Sequence, residues 1–67
     1  MKNNFSNILR SMRLDKGLKQ SELATKLCTT QRKVSYWENG KTEPDLESLW
    51  EIADFFEISL DELVGRE

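Results

Sequence analysis

Apolar residues recur three and four positions apart along most of the chain, and this spacing commits the chain to α-helices. The first apolar stripe consists of Phe5, Ile8, Leu9 and Met12. No stretch alternates apolar and polar residues for long enough to form a half-buried strand. The pattern therefore predicts an all-α fold.

Residues that begin or stop helices divide this pattern into five short helices. Side-chain oxygens of Asn, Thr, Asp and Ser cap helix starts, whereas Gly favours the left-handed turn that ends a helix. Ser59 and Glu62 also have the spacing of a capping box. The predicted helices run from Asn3 or Asn4 to Gly17, from Gln20 to Leu27, from Thr30 to Asn39 and Gly40, from Asp45 to Phe56, and from Ser59 to Gly65.

The fourth helix has one apolar stripe that is expected to face the core. At about 100° per residue, Phe55 lies roughly 180° from Leu46 and well off this stripe. Two interpretations stay open for Phe55: it packs beneath the fifth helix, or it belongs with Trp50 to a symmetric dimer patch formed by the fourth and fifth helices. The stripe consists of Leu46, Leu49, Ala53 and Phe56, with Trp50 and Ile52 at its edges.

Length and composition predict one small domain covering residues 1–67. The 37% of apolar side chains can form one compact core, and the 33% of charged side chains can cover it. No apolar run exceeds two residues, which predicts neither a membrane span nor a signal peptide. Histidine is absent and Cys28 is the one cysteine, which excludes disulfides, Cys/His zinc sites and histidine-based triads. No cofactor, metal or small-molecule ligand is expected, and a lone thiol fits the reducing cytoplasm.

Charge is distributed unevenly along the sequence. Residues 1–41 carry nine Lys or Arg and three acids, whereas residues 42–67 carry one base and nine acids. The formal net charge of −2 hides this separation. A basic face can therefore exist on an acidic protein, and an ordinary solvated surface is the alternative interpretation.

Only Cys28, Thr29 and the capping residue Thr30 join the second predicted helix to the third, so these helices must cross steeply. Val34 and Trp37 give the third helix one apolar side. Its opposite side is polar and contains no acid. Because Gln and Arg side chains can bind adenine and guanine edges bidentately, this side either reads DNA bases or is an ordinary polar surface. Its residues are Gln31, Arg32, Ser35, Tyr36 and Asn39.

The segment from Gln20 to Lys41 resembles the helix-turn-helix of the Cro and phage-repressor group, also called the xenobiotic-response-element (XRE) family. The resemblance covers about residues 5–64 and implies a compact five-helix, repressor-like domain with a helix-turn-helix formed by the second and third helices. Members of this family are mostly transcriptional regulators that bind palindromic operators as dimers. The matching residues are Leu18, Gln20, Glu22 to Ala24, Leu27, Thr29 to Gln31, Val34, Glu38 to Lys41, Pro44, Leu46, Leu49, Ile52, Ala53 and Ile58 to Leu63.

The resemblance also implies roles for individual residues. Gln20 is expected to bind phosphate at the start of the second helix, where free backbone N–H groups attract anions. Arg13 and Glu38 match a structural pair that ties the first helix to the third. The expected base-reading residues are Gln31, Arg32, Ser35 and Tyr36. The expected phosphate-contacting residues are Lys19, Gln20, Lys33, Asn39 and Lys41.

Four residues depart from the family pattern. Lys19 replaces the Thr or Asn that caps the second helix, which costs about 1 kcal/mol of helix stability. Cys28 and Glu57 replace glycines at the ends of the second and fourth helices. Each is expected to need a left-handed backbone or an altered turn. Glu43 places a negative charge in the loop before the fourth helix, where it disfavours contacts with DNA.

Together these observations predict a sequence-specific regulator of transcription that binds double-stranded DNA. Its simplest form is a repressor that occupies a palindromic operator as a homodimer, with recognition helices about 34 Å apart. The alternative is an antitoxin-like or other protein-interaction module, whose binding would not depend on base sequence. An enzyme is not expected, because no metal-ligand constellation, glycine-rich phosphate loop or catalytic dyad is found.

Overall fold

The computed structural model describes residues 4–65, which form five helices and no strand. α2 packs against α3, α1 contacts both α3 and α5, and α4 packs on α5. The predicted all-α, five-helix fold is confirmed. No helix in this part of the chain is long and apolar enough to span a bilayer. The helices are α1 (Phe5–Asp15), α2 (Gln20–Lys26), α3 (Gln31–Glu38), α4 (Leu46–Phe56) and α5 (Leu60–Val64).

All five helices contribute apolar side chains to the core. Each helix supplies one that is fully buried: Leu9, Leu23, Val34, Ile52 and Leu63. Removing such side chains from water contributes roughly 1.5–3 kcal/mol each, so every helix is anchored through its own residue. The rest of the core consists of Phe5, Ala24, Leu27, Trp37 and Ala53.

The apolar stripe of α4 is rotated relative to the predicted one. Ile52, which was expected at the edge, is fully buried, whereas Leu46, which was expected in the core, is 57% exposed. Leu46 is the first residue of α4 and follows the Asp45 cap, so few neighbours are available to cover it. A rotation of α4 by about 30° about its own axis, relative to the predicted orientation, turns Leu46 towards solvent and Ile52 into the core. Ile52 lies near the middle of the helix, so neighbouring helices can surround it on all sides.

Three predicted capping residues begin helices in the structure. Thr30, Asp45 and Ser59 each accept a hydrogen bond from the backbone N–H three residues further along. Asn4 stands before α1, but its side chain makes no capping hydrogen bond. Its backbone N–H instead donates to the Val64 carbonyl at 3.1 Å, which links the start of α1 to α5. The alternative cap, Asn3, lies outside the described residues.

The first four helices end in the same turn. In this Schellman turn, a residue one or two positions after the helix is left-handed, and the next backbone N–H donates to a carbonyl five residues back. Thr29, for example, donates to the Ala24 carbonyl at 2.9 Å. The expectation of left-handed backbone at Cys28 and Glu57 is confirmed. The left-handed residues are Gly17, Cys28, Gly40 and Glu57, with φ angles of 70°, 58°, 74° and 60°.

We expect Cys28→Gly to leave the free energy of unfolding unchanged or to raise it by about 1 kcal/mol, because left-handed backbone strains a residue with a Cβ. Gly17→Ala is the matched opposite change. A Cβ at Gly17 would meet no atom within 4 Å, so the expected loss of about 1 kcal/mol is backbone strain alone. Urea unfolding followed by circular dichroism measures both. A loss above about 2 kcal/mol for Cys28→Gly would instead mean that the exposed thiol contributes packing.

Candidate nucleic-acid interface

A buried ion pair joins α1 to the end of α3. Arg13 Nε donates to Glu38 Oε2 at 2.6 Å, and Arg13 Nη2 donates to Glu38 Oε1 at 3.0 Å. Arg13 Nη1 also donates to the Leu18 carbonyl at 2.8 Å. The structure therefore brings together the two residues that the resemblance paired, and it fixes the angle between α1 and α3.

The same carboxylate also holds α2. Gln20 Nε2 donates to Glu38 Oε1 at 3.0 Å, and Arg10 Nε lies 3.8 Å from that oxygen. A Gln amide nitrogen has two N–H groups, and this bond uses one of them. The second N–H remains for another acceptor at the start of α2, where Gln20 is the first residue. Glu38 thus orients the side chain that was expected to contact phosphate.

The start of α2 has only half of a capping box. Glu22 Oε1 accepts a hydrogen bond from the Lys19 backbone N–H at 2.7 Å. The Lys19 side chain has no acceptor atom and makes no capping hydrogen bond in return. The first backbone N–H groups of α2 therefore lack a side-chain partner, and the Lys19 ammonium adds positive charge beside them. This combination favours an anion.

The solvent side of α3 carries the predicted base-reading residues. Gln31, Arg32 and Tyr36 are exposed, and Ser35 is half-buried. Asn39 Nδ2 donates to Ser35 Oγ at 3.3 Å, so these two side chains partly satisfy each other. The opposite side of α3 is buried and consists of Val34, Trp37 and Glu38.

Lys41 extends this side of α3 beyond the end of the helix. Its Nζ lies 5.8 Å from the centre of the Tyr36 ring, which is the distance of a cation–π contact. Tyr36 is 38% exposed, so both the ring and the ammonium remain accessible. The contact places a positive charge next to the residues that face solvent on α3.

A groove of about 460 Å³ separates α3 from the loop before α4. Arg32 and Lys33 line one of its walls, and Glu43 and Asp45 line the other. The hydrogen bonds from Ser48, and to a lesser degree the Lys33 charge, lower the pKa of Asp45. The Asp45 cap therefore stabilises the fold above the ordinary carboxyl pKa, and this contribution is lost as the pH falls through the lowered pKa. The carboxylates of Glu43 and Asp45, on the opposite wall of the groove from Arg32 and Lys33, limit the positive charge at this edge of α3.

Trp50 and Phe55 lie on different sides of α4, about 140° apart. Trp50 is 53% exposed, whereas Phe55 is half-buried against the core. The Phe55 ring meets the Phe56 ring edge to face at 4.9 Å between centroids, and Lys16 Nζ lies 5.6 Å from its centre. The structure does not bring the two residues of the suggested dimer patch together.

The hydrogen bond between Gln20 and Glu38 was not predicted from the sequence. One signal was available, because Glu38 is the only acid on α3. At about 100° per residue it falls roughly 40° from Val34, on the apolar side of the helix. A carboxylate in that position needs partners from neighbouring helices, since a buried charge is costly without them.

A family model described as helix-turn-helix matches residues 9–63. The chain belongs to the helix-turn-helix family of Cro-like and phage-repressor-like proteins. This helix-turn-helix chain is 40% identical over 63 residues to the HTH-type transcriptional activator BcrR of Enterococcus faecalis, covering 94% of this chain and 31% of BcrR.

Two solved structures have the same fold. A transcriptional regulator from Listeria innocua matches with a TM-score of 0.91 at 37% identity, over 97% of this chain and 61% of that protein. The DNA-binding domain of the P22 c2 repressor in solution matches with a TM-score of 0.83 at 25% identity, over 94% of this chain and 84% of that domain. The chain thus spans less than two thirds of the BcrR and Listeria proteins.

We expect Arg13→Met to lower the free energy of unfolding by about 3–5 kcal/mol, because Glu38 would stay buried without its main partner. Arg13→Met combined with Glu38→Leu should recover most of this loss, since apolar side chains of similar size can replace a buried pair. Arg10→Met is the control, because the Arg10 side chain is 54% exposed, and it should cost less than about 1 kcal/mol. Thermal unfolding compares the three variants with the unchanged protein. Equal losses for the two single variants would contradict a stabilising role for the pair.

Proposed function

We propose that this helix-turn-helix domain regulates transcription by binding double-stranded DNA sequence-specifically, with α3 in the major groove. The observation that carries the proposal is the solvent side of α3, where Gln31, Arg32 and Tyr36 are exposed without an acid among them. Gln and Arg at the start of a recognition helix can pair bidentately with adenine and guanine. The Arg13–Glu38 pair holds this helix from behind, so the reading residues are presented by a fixed support.

Phosphate contacts would flank the reading helix on both sides. At the start of α2, Lys19, the second N–H of Gln20 and the uncapped backbone N–H groups form one positive site. At the end of α3, Asn39 and Lys41 form another, and Lys33 is exposed on α3 itself. Contacts on both sides would set the register of α3 along the groove, because phosphate contacts position a protein without reading sequence.

The proposal includes two copies of the protein on one palindromic operator, in the cytoplasm. Each copy would read one half-site, with half-site centres about 34 Å apart, one turn of DNA. Occupancy of a promoter by such a pair would repress transcription by excluding other proteins. The relative BcrR is named an activator, so a reporter carrying the selected site must test the direction of regulation. Lower reporter output with the protein present supports repression, and higher output would make the protein an activator.

We expect Gln31→Ala or Arg32→Ala to cost about 1–3 kcal/mol of binding on the preferred site and to relax the preference at one or two base pairs. Lys41→Ala should weaken binding to all duplexes alike and reduce the salt dependence by about one phosphate contact. Sites selected from random duplexes and titrated at two salt concentrations provide the measurement. The same titration gives the number of copies bound per palindrome.

Lys26→Ala is the matched control for these titrations. Lys26 is an exposed base on α2 that lines a groove with α4 residues, away from the solvent side of α3. It should bind the selected site like the unchanged protein. If Arg32→Ala lost the same affinity on the selected site and on a scrambled duplex, α3 would not read bases and the proposal would fail.

A further inference from the structure

The solvent side of α4 carries a set of residues that the proposed DNA contacts do not use. At about 100° per residue, these side chains fall within an arc of roughly 140°. Leu46 is 57% exposed and Trp50 is 53% exposed, and the two lie one helical turn apart. We call the set the α4 face: it consists of Leu46, Glu47, Trp50, Glu51 and Asp54, all of them exposed.

The α4 face combines two large apolar side chains with three acids and no base. Within the described part of the chain, none of these acids forms an ion pair shorter than 4.0 Å. Lys26 lines a groove together with Glu51 and Asp54, but it is not within ion-pair distance of either. The three carboxylates are therefore free to pair with cations from another molecule.

The fold itself does not require Trp50 or Leu46 at these positions. α4 is anchored through Ile52, which is fully buried on the opposite side of the helix, and through Ala53, which is buried next to Leu46 at the edge of the α4 face. Adjacent exposed apolar side chains on a small protein indicate a binding surface more often than isolated ones. Trp in particular is enriched among the residues that contribute most of the energy of protein interfaces.

The charge of the α4 face decides which kind of molecule can cover it. DNA phosphates would be repelled by Glu47, Glu51 and Asp54. A second copy docked through the same face would bring three more acids and no base to the interface, because a twofold interface is formed by the same surface on both copies. Like charges placed together oppose association. The complementary occupant is therefore a positively charged protein surface that also has apolar side chains.

We propose that the α4 face is a docking surface for a basic amphipathic helix of another protein. The apolar side chains of that helix would cover Leu46 and Trp50, and its Lys or Arg side chains would pair with the surrounding acids. Ser48 lines the groove beside α3 and lies about 160° around α4 from Trp50 and about 60° from Glu51, which is the nearest residue of the α4 face. A partner helix centred on Leu46 and Trp50 would therefore leave α3 accessible, and the partner and DNA could be bound together.

The test uses a synthetic amphipathic helical peptide made of Leu and Lys, and a peptide of the same composition in scrambled order. Trp37 is buried, so a shift in tryptophan fluorescence on adding peptide reports Trp50 in the unchanged protein, and fluorescence anisotropy of a labelled peptide measures the affinity of every variant, including those without Trp50. We expect the amphipathic peptide to bind more tightly than the scrambled one. Trp50→Ala should weaken binding by about tenfold or more, as expected for an interface anchor. The double variant Glu47→Gln/Glu51→Gln should also weaken binding, and this loss should shrink at high salt.

Leu14→Ala is the matched control, because Leu14 on α1 is 59% exposed and lies outside the α4 face. It should leave peptide affinity unchanged. Equal binding of both peptides, or equal affinity of Trp50→Ala and the unchanged protein, would mean unspecific charge attraction and overturn the proposal. So would a dimer in sedimentation that Trp50→Ala dissociates, since a second copy would then cover the face.

Operator binding separates this proposal from the proposed function. Trp50→Ala should bind the selected DNA site like the unchanged protein while losing the peptide. If affinity for the site fell together with affinity for the peptide, the α4 face would belong to the DNA-binding assembly, and the docking proposal would fail. A protein that bound the peptide but no specific DNA would support the docking surface and refute the proposed function.

Discussion

The buried carboxylate of Glu38 holds together the three helices that form the candidate interface. It accepts hydrogen bonds from Arg13 on α1 and from Gln20 on α2, and it belongs to α3 itself. α3 has eight residues and α2 has seven, lengths at which an isolated helix is marginal in water. Their mutual orientation must therefore come from contacts between helices. A charge-assisted network with fixed geometry supplies direction, which apolar packing alone does not.

The positions of the helices could be predicted from the sequence because their signals are local. Thr30, Asp45 and Ser59 cap the helices that follow them, and each acts on an N–H only three residues away. The rotation of α4 could not be predicted in the same way. Apolar residues cover so much of its circumference that periodicity permits either Leu46 or Ile52 to face the core. Only the packing of the other four helices decides between them.

The candidate interface also has features that local sequence predicts and features that depend on packing between helices. The solvent side of α3 was predictable, because Val34 and Trp37 define the opposite side. The hydrogen bond between Gln20 and Glu38 joins residues 18 positions apart and depends on how α2 crosses α3. The contact between Lys41 and Tyr36 depends on the turn after α3, in which Gly40 is left-handed and the Lys41 backbone N–H donates to the Tyr36 carbonyl. Local patterns identify which residues are available, and the crossing of the helices decides which of them meet.

Because the Arg13–Glu38 pair is buried, it responds to ionic strength differently from the exposed lysines of the domain. Salt screens exposed charges over a distance of about 10 Å at 0.1 M, but it has little access to a pair enclosed by protein. Lys19, Lys33 and Lys41, by contrast, are exposed to solvent and are fully subject to this screening. If these lysines bind phosphate as proposed, rising salt would weaken that binding while the buried pair kept the angle between α1 and α3 unchanged. Under the proposed function, salt-driven release of DNA would then require no change in the packing of α1 against α3.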